Sequence, residues 1–167
     1  VFASQGEFPR IVLAPKDPPD AFDATFRAFN LADRFQVPVI ILGDQFLADS
    51  SMNVSGLDVM SVDVDRGAIA DDSQRTSYQR YALTADGISP RAFLGDPGVV
   101  VVSSGNAHLE NGHITEDPDM RNAMVEKFLR KVPSIRSSLR EPEFSGPDEC
   151  ETLVVSWGST WGPYARL

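Results

Sequence analysis

Between residues 10 and 42 the apolar positions fall into two short solid runs separated by a helical stripe. Arg10-Ile11-Val12-Leu13-Ala14-Pro15 is apolar at its centre and does not alternate, the pattern of a strand buried on both faces. Pro15, Pro18 and Pro19 mark its end. A helix is expected from about Asp20, an N-cap candidate, with Phe22, Phe26 and Phe29 at helical spacing and Thr25 and Ala32 beside them as a core face. A residue before proline is pushed out of the α region, so this helix stops by Val37. Residues 37–42, Val-Pro-Val-Ile-Ile-Leu, then read as a second buried strand. Strand, helix and strand make a βαβ unit, whose crossover implies parallel pairing and a right-handed connection. Open parallel sheets bind ligands beyond the carboxyl ends of their strands, which puts Pro15, Lys16, Gly43, Asp44 and Gln45 on the ligand-side rim.

Further along, the pattern weakens. Residues 50–98 are interrupted by Gly, Asp and Ser and are expected to form an irregular excursion, with a hairpin where Val62 and Val64 alternate with Asp63 and Asp65. Residues 99–103 read as another strand, followed by a loop over 104–116. Asp117-Pro118 supplies an N-cap and a proline at the first helical position; the helix runs to about Lys131, is ended by Pro133, and buries Met120, Met124 and Phe128. Residues 134–150 have linker composition. A strand over 152–156, a turn at Gly158 and a helix opening at Gly162-Pro163-Tyr164 follow. One helical turn before Leu167 is too short to be stable alone, so a native continuation is expected.

Composition narrows the classes. The chain has 167 residues, 42% hydrophobic, enough for one sizeable core. Cys150 is the single cysteine, which excludes an internal disulfide and a cysteine-ligated cluster held by this chain alone and suits a reducing, cytoplasmic setting. No apolar run approaches the roughly 20 residues of a membrane span, and the residues from Val1 onward carry no signal-peptide pattern, so the true N-terminus is expected upstream. A formal net charge of -9 argues against nucleic acid as a partner. Lys127, Arg130 and Lys131 are expected to favour the negative end of their helix and not to form a binding patch.

Candidate chemistry is sparse. Neither GxGxxG nor GxxxxGK[ST] occurs, so standard nucleotide folds gain no support. His108, Glu110, His113, Glu116 and Asp117 include metal-ligating types, but they lie in a Gly-containing loop without helical HExxH register, and loop-ordering hydrogen bonds are favoured over a metal. Asp44, with Asp49 nearby, sits where a carboxylate can orient a ligand or act as a base; capping of the backbone leaving the strand is the favoured alternative. Gly6-Glu7-Phe8-Pro9-Arg10 sets an acid and a base beside the first strand, for an ion pair or a ligand contact. Residues 156–162, Ser-Trp-Gly-Ser-Thr-Trp-Gly, present N–H groups suited to an anion, although an ordinary βα turn uses the same residues.

Five segments occur in order over nearly the whole chain: GEFPRIVLAP (6–15), AFNLADRFQVPVIILGDQFLADS (28–50), YALTADGISPRA (81–92), GHITEDPDMRNAMVEKFLRK (112–131) and VVSWGST (154–160). Together they resemble the α subunit of 2-oxoacid:ferredoxin (or flavodoxin) oxidoreductases, with the 2-oxoglutarate branch fitting best. Two features depart from the family's pattern: Gln5-Gly6 stands where His-Gly often precedes the Glu of GEFPR, and residues 51–77 carry none of the resembling segments and read as a lineage-specific loop or a subunit contact.

The resemblance implies an α/β architecture: a partial thiamine-diphosphate-binding fold with a mostly parallel sheet, plus the first βα of a second α/β domain. Residues 1–133 would be the C-terminal part of the pyrimidine-binding domain, 134–150 a linker and 151–167 the truncated start of a transketolase-C-terminal-like domain. It implies CoA-dependent oxidative decarboxylation of a 2-oxoacid, 2-oxoglutarate to succinyl-CoA as the best assignment, with electrons passed to ferredoxin or flavodoxin. Thiamine diphosphate and Mg²⁺ would sit at the interface with a β subunit that also carries a [4Fe-4S] cluster, and coenzyme A would be co-substrate. The carboxylate that activates the aminopyrimidine would lie upstream of Val1, leaving this piece inactive alone. Gly6, Glu7, Pro9, Arg10, Asp44 and Gln45 would line the cofactor or substrate pocket in positioning roles, with no catalytic or metal-ligating residue in the chain. The alternatives are a non-catalytic assembly module and the β chain of another thiamine-dependent 2-oxoacid dehydrogenase.

Overall fold

The computed structural model describes Ser4, residues 6–147 and residues 149–164. Gln5 and the last residues of the expected terminal helix, 165–167, lie outside the described residues. The scaffold begins with β1 (Ile11–Leu13), α1 (Pro18–Phe35) and β2 (Val39–Ile41). The two strands pair in parallel with Ile11 opposite Val39, Val12 opposite Ile40 and Leu13 opposite Ile41. Backbone bonds from Ile11 N–H to the Pro38 carbonyl (3.0 Å) and from Leu42 N–H to the Leu13 carbonyl (2.7 Å) extend the ladder at both ends. The predicted βαβ unit is therefore present, with strands shorter than their apolar runs.

α1 starts two residues before the expected cap because its prolines sit inside it: Pro18 occupies the first turn, where an N–H would lack a partner anyway. Asp17, not Asp20, is the N-cap and accepts from Asp20 N–H at 2.8 Å; Asp20 in turn accepts from Lys16 N–H at 3.0 Å. The helix ends at Gln36, whose left-handed conformation (φ 51°) turns the chain into Val37-Pro38. Its buried face is Ala24, Ala28, Leu31 and Phe35 rather than the phenylalanine stripe; Phe29 is 72% exposed, and Phe22 packs edge-on against Phe26 at 4.8 Å. Alanines win because their short side chains let the helix axis approach the strands, and Phe35 then fills the end of the interface. Phe35 and Ile11, both buried, join Leu31, Val37 and Ile135 in one core.

Ile135 belongs to a helix that sequence composition assigned to a linker. After α2 (Gln45–Asp49), α3 (Asp72–Arg75) and α4 (Pro118–Arg130) comes α5 (Val132–Ser138), with Pro133 in its first turn. Pro133 thus ends one helix by starting the next, and residues 134–138 are helical. α4 is capped by Asp117 as expected.

Residues 99–103 and 152–156 form no ladder among the described residues, and the hairpin expected near Val62 is absent there too. A run of apolar residues reports burial potential, and a strand also needs an edge to pair with. The segment containing Val62 is instead tied to α1. Asn30 donates to the Asp63 carbonyl (2.8 Å) and accepts from Asp65 N–H (3.0 Å), while Asp33 receives Arg91 (3.0 Å) and Arg66 (3.2 Å). The Arg91 hydrogen bond, assisted by Arg66, holds the Asp33 carboxyl below the usual carboxylate range. The chain closes with a 3₁₀ turn over Gly158–Thr160 and α6 (Trp161–Tyr164). Among the described residues no helix is long and apolar enough to cross a membrane.

Gly87 has φ 80°, and a side chain there would place its first carbon 2.2 Å from the Lys127 carbonyl oxygen. The loop rests on the end of α4 at backbone distance. Gly87→Ala is expected to destabilise the fold by about 2 kcal/mol or more, from strained backbone plus displacement of α4; urea unfolding measures it, and an unchanged midpoint would contradict this packing.

Candidate functional site

Because the strands are parallel, their ends define two separate surfaces. At the carboxyl end, Asp44 follows β2 and caps α2, accepting from Leu47 N–H at 2.8 Å. Its second oxygen accepts from Ser159 twice, from Oγ at 2.7 Å and from N–H at 3.2 Å. The Leu47 bond and then the Ser159 hydroxyl hold the Asp44 carboxyl below its usual range. The anion held by the turn over residues 156–162 is therefore the protein's own. Gly158, with φ 64°, permits this approach: a side chain there would come within 3.3 Å of the Asp44 carboxylate and 3.8 Å of the Pro15 carbonyl. Lys16 adds a second tie, with Nζ 3.2 Å from Glu143 and 4.1 Å from the centre of the Trp161 ring. Gln45, exposed on α2, donates to Asp49 at 3.3 Å. Asp44 and Gln45 thus stand on the predicted rim, where Asp44 does the capping favoured from sequence and fastens the 158–160 turn.

Gly6, Glu7 and Pro9 lie at the other end. They line a cleft of about 510 Å³ with Gln36, Pro38, residues 104–108, Arg121, Phe128 and Lys131. Arg10 stacks on Phe8 with its guanidinium carbon 4.3 Å from the ring centre, and donates to Ser4 Oγ at 3.0 Å. The three ladder residues of each strand, about 10 Å of chain, separate this group from Asp44 and Gln45. The six candidates therefore form two clusters at opposite strand ends.

Beneath the cleft lies a polar network that the sequence reading missed. Lys127 (3% exposed) donates to the Tyr81 carbonyl at 2.9 Å and to Ser89 Oγ; Lys131 (4% exposed) donates to the Gln36 carbonyl at 3.1 Å. Gln36 also donates to the Ser89 carbonyl (2.6 Å) and accepts from Arg80 (2.9 Å). These two lysines are buried, a feature that the expected role at the negative end of the helix did not include; of the three bases Arg130 alone faces outward, donating to the Thr84 carbonyl at 3.1 Å and pairing with Glu126. Burial first, then repulsion from Lys131 and Arg80, pushes the Lys127 ammonium down to about 8; burial, then Arg80, does the same to Lys131. The missed signal was the spacing: Met120, Met124, Lys127 and Lys131 repeat the 0, 4, 7, 11 stripe of the buried face of α1.

The histidine loop is ordered by its own contacts. His108 stacks on Tyr81 with ring centres 3.8 Å apart, Glu110 accepts from Leu83 N–H at 2.7 Å, and Leu109 N–H donates to the His113 carbonyl at 2.8 Å. No group of three or more His, Cys, Asp or Glu is placed to hold a metal ion among the described residues.

Comparison with known proteins gives this geometry a family. Residues 1–127 match the family described as pyruvate flavodoxin/ferredoxin oxidoreductase, thiamine diphosphate-binding. The chain belongs to that family. It is 40% identical, over 98% of its length, to 2-oxoacid:ferredoxin oxidoreductase 2, subunit alpha, of Aeropyrum pernix, and 24% identical over 95% to the 2-oxoglutarate synthase subunit KorA of Methanothermobacter thermautotrophicus. It covers 26% of the first and 41% of the second, so it spans well under half of either relative. The solved 2-oxoglutarate:ferredoxin oxidoreductase from Magnetococcus marinus, with 2-oxoglutarate, coenzyme A and succinyl-CoA bound, superposes with a TM-score of 0.90 at 32% identity, covering 99% of this chain and 29% of that one. The α/β fold expected from the resemblance is thus the fold of this oxidoreductase family.

Two outcomes follow for this family member. Asp44→Ala and Ser159→Ala are each expected to speed amide exchange over residues 158–160, with the double variant no faster than either single one; additive effects would mean the two side chains act apart. Lys127 binds fewer protons folded than unfolded between about pH 8 and its ordinary value of 10.5. Stability therefore rises with pH across that window, as the buried ammonium, faced by Arg80, Lys131, Asp86 and Glu110, is relieved of its charge. Urea midpoints should climb from pH 8 to 10 in the native protein and climb less in Lys127→Met.

Proposed function

We propose that this chain is part of the α subunit of a 2-oxoacid:ferredoxin oxidoreductase, which carries out CoA-dependent oxidative decarboxylation of a 2-oxoacid and passes the electrons to ferredoxin or flavodoxin. The best assignment of substrate is 2-oxoglutarate, with succinyl-CoA as product. The observation that carries this reading is the agreement of 99% of the chain with the Magnetococcus marinus enzyme at a TM-score of 0.90. In this reading the residues through α5 form the later part of a pyrimidine-binding domain, the following stretch to about residue 150 is the linker, and residues 151–167 open a second α/β domain. The enzyme works in the cytoplasm.

The described residues do not make a complete site for thiamine diphosphate, Mg²⁺ or an iron–sulfur cluster. Asp44, the carboxylate of the rim, is committed to α2 and Ser159, and Cys150, the single thiol, is exposed. The reading therefore assigns the remaining walls of the thiamine pocket to other parts of the α subunit and to the β subunit, which would also hold Mg²⁺ and the [4Fe-4S] cluster. When bound, thiamine diphosphate supplies the carbanion chemistry of decarboxylation. This chain contributes a rigid strand-end frame: β1 and β2 fix the rim, and the Asp44–Ser159 and Lys16–Trp161 contacts keep residues 158–161 against it.

The test is to purify the complete protein from its source and to follow ferredoxin reduction with 2-oxoglutarate and coenzyme A. A co-purifying cluster-bearing subunit and reduction that requires both substrates are expected. A protein that purifies alone and reduces nothing with any 2-oxoacid would overturn the proposal.

A further inference from the structure

Arg80, Lys127 and Lys131 meet in one partly dry region, and among the described residues no ion pair joins any of them to a carboxylate. Their hydrogen bonds run to neutral oxygens: the Gln36 amide and carbonyl, the Tyr81 carbonyl and the Ser89 hydroxyl. Hydrogen bonds to neutral groups satisfy donors without pairing the charge; Asp86 and Glu110 offset it only from beyond ion-pair distance, whereas buried charge is ordinarily matched by a directly paired opposite one. The 510 Å³ cleft between residues 6–9, residues 104–108 and α4 reaches this region, because Lys131 forms part of its wall. Arg121, one turn from the start of α4, lines the same cleft, is exposed, and makes no side-chain hydrogen bond or ion pair among the described residues. Ser104 adds a hydroxyl, and Glu7 is the one carboxylate of the lining.

We propose that this cleft binds a small oxyanion, the carboxylate or phosphate group of a small molecule, between Lys131 at its inner wall and Arg121 at its mouth. The pairing suits an oxyanion better than a halide. A guanidinium presents its donors as a planar fork that matches two oxygens, and the Lys131 ammonium has N–H groups beyond the one spent on Gln36. Phe128 and Met124 supply an apolar wall for whatever skeleton carries the anionic group. The site lies at the amino ends of β1 and β2, away from the rim that carries Asp44, and does not rest on the proposed activity.

The experiment uses the complete protein and follows its Tm at fixed ionic strength while chloride is exchanged for inorganic phosphate or, separately, for acetate. A saturable rise in Tm with at least one oxyanion is expected, and the stronger of the two identifies the preferred group. Arg121→Gln, a surface change away from the core, should weaken the apparent affinity about tenfold, as loss of a charge-assisted contact does, while Glu7→Gln should tighten it. Lys131→Met should abolish the response. Because Lys131 is also structural, its variant is not decisive alone, and Arg121→Gln carries the test. Absence of saturation with both oxyanions, or an equal response in the native protein and Arg121→Gln, would overturn the proposal; the second result would mean an adventitious ion only.

Discussion

Two strands of three residues each hold their parallel register only because the helix joining them is fixed at both ends. At its start Asp17 caps the backbone and Asp20 fastens Lys16, so the chain leaves β1 at a set angle. At its end Gln36 adopts the left-handed conformation, and its side chain and carbonyl are gripped by Arg80, Ser89 and Lys131. Between these points Ala24, Ala28 and Leu31 bring the helix close to the sheet and Phe35 seals it. Burying a phenylalanine contributes on the order of 2–3 kcal/mol, comparable to what a pair of short strands gains from its few hydrogen bonds.

The direction of those strands then decides what can act together. Segments adjacent in the chain are sent to opposite surfaces: GEFPR enters β1 from the amino side, and Gly43-Asp44-Gln45 leaves β2 on the carboxyl side. At the carboxyl surface the open edge is partly filled by the 158–161 turn, so the rim has a fixed contour before any ligand approaches. At the amino surface the walls are apolar on one side and cationic on the other, with no comparable internal plug among the described residues.

The βαβ unit, its parallel sense and the Pro118 start of α4 were legible in the sequence, because burial on two faces and the stereochemistry of proline act locally, although the start of α1 was placed at Asp20 instead of Pro18. The cap at Asp117 was legible for the same reason. The strands at 99–103 and 152–156 were not, since pairing depends on an edge that no local pattern announces. The core face of α1 was misplaced by weighting size: Phe22, Phe26 and Phe29 hold more apolar area, yet close approach to a sheet selects alanines. α5 was hidden by its Ser, Pro and Arg content, although Ile135 and Leu139 stand at helical spacing and both reach the core. At the site, the favoured capping role of Asp44 matched its observed bonds, whereas the lysines of α4 were read by charge rather than by register.

That last error carries the more general lesson about where chemistry resides in this chain. Asp44 is exposed, its carboxyl is held ionised by Leu47 and Ser159, and each of its oxygens has a structural duty. A group so occupied positions its neighbours and has little left with which to move a proton. Lys127 and Lys131 are the opposite case: buried, pushed down to about 8, and bonded only to neutral oxygens. Moving two ammonium groups out of water is costly, and the carbonyls they reach return only part of that cost. Their burial binds α4, the 78–91 loop and the end of α1 into one unit. The same burial leaves a positive field beside the amino-end cleft that Asp86 and Glu110 offset only in part, since neither forms an ion pair with these lysines.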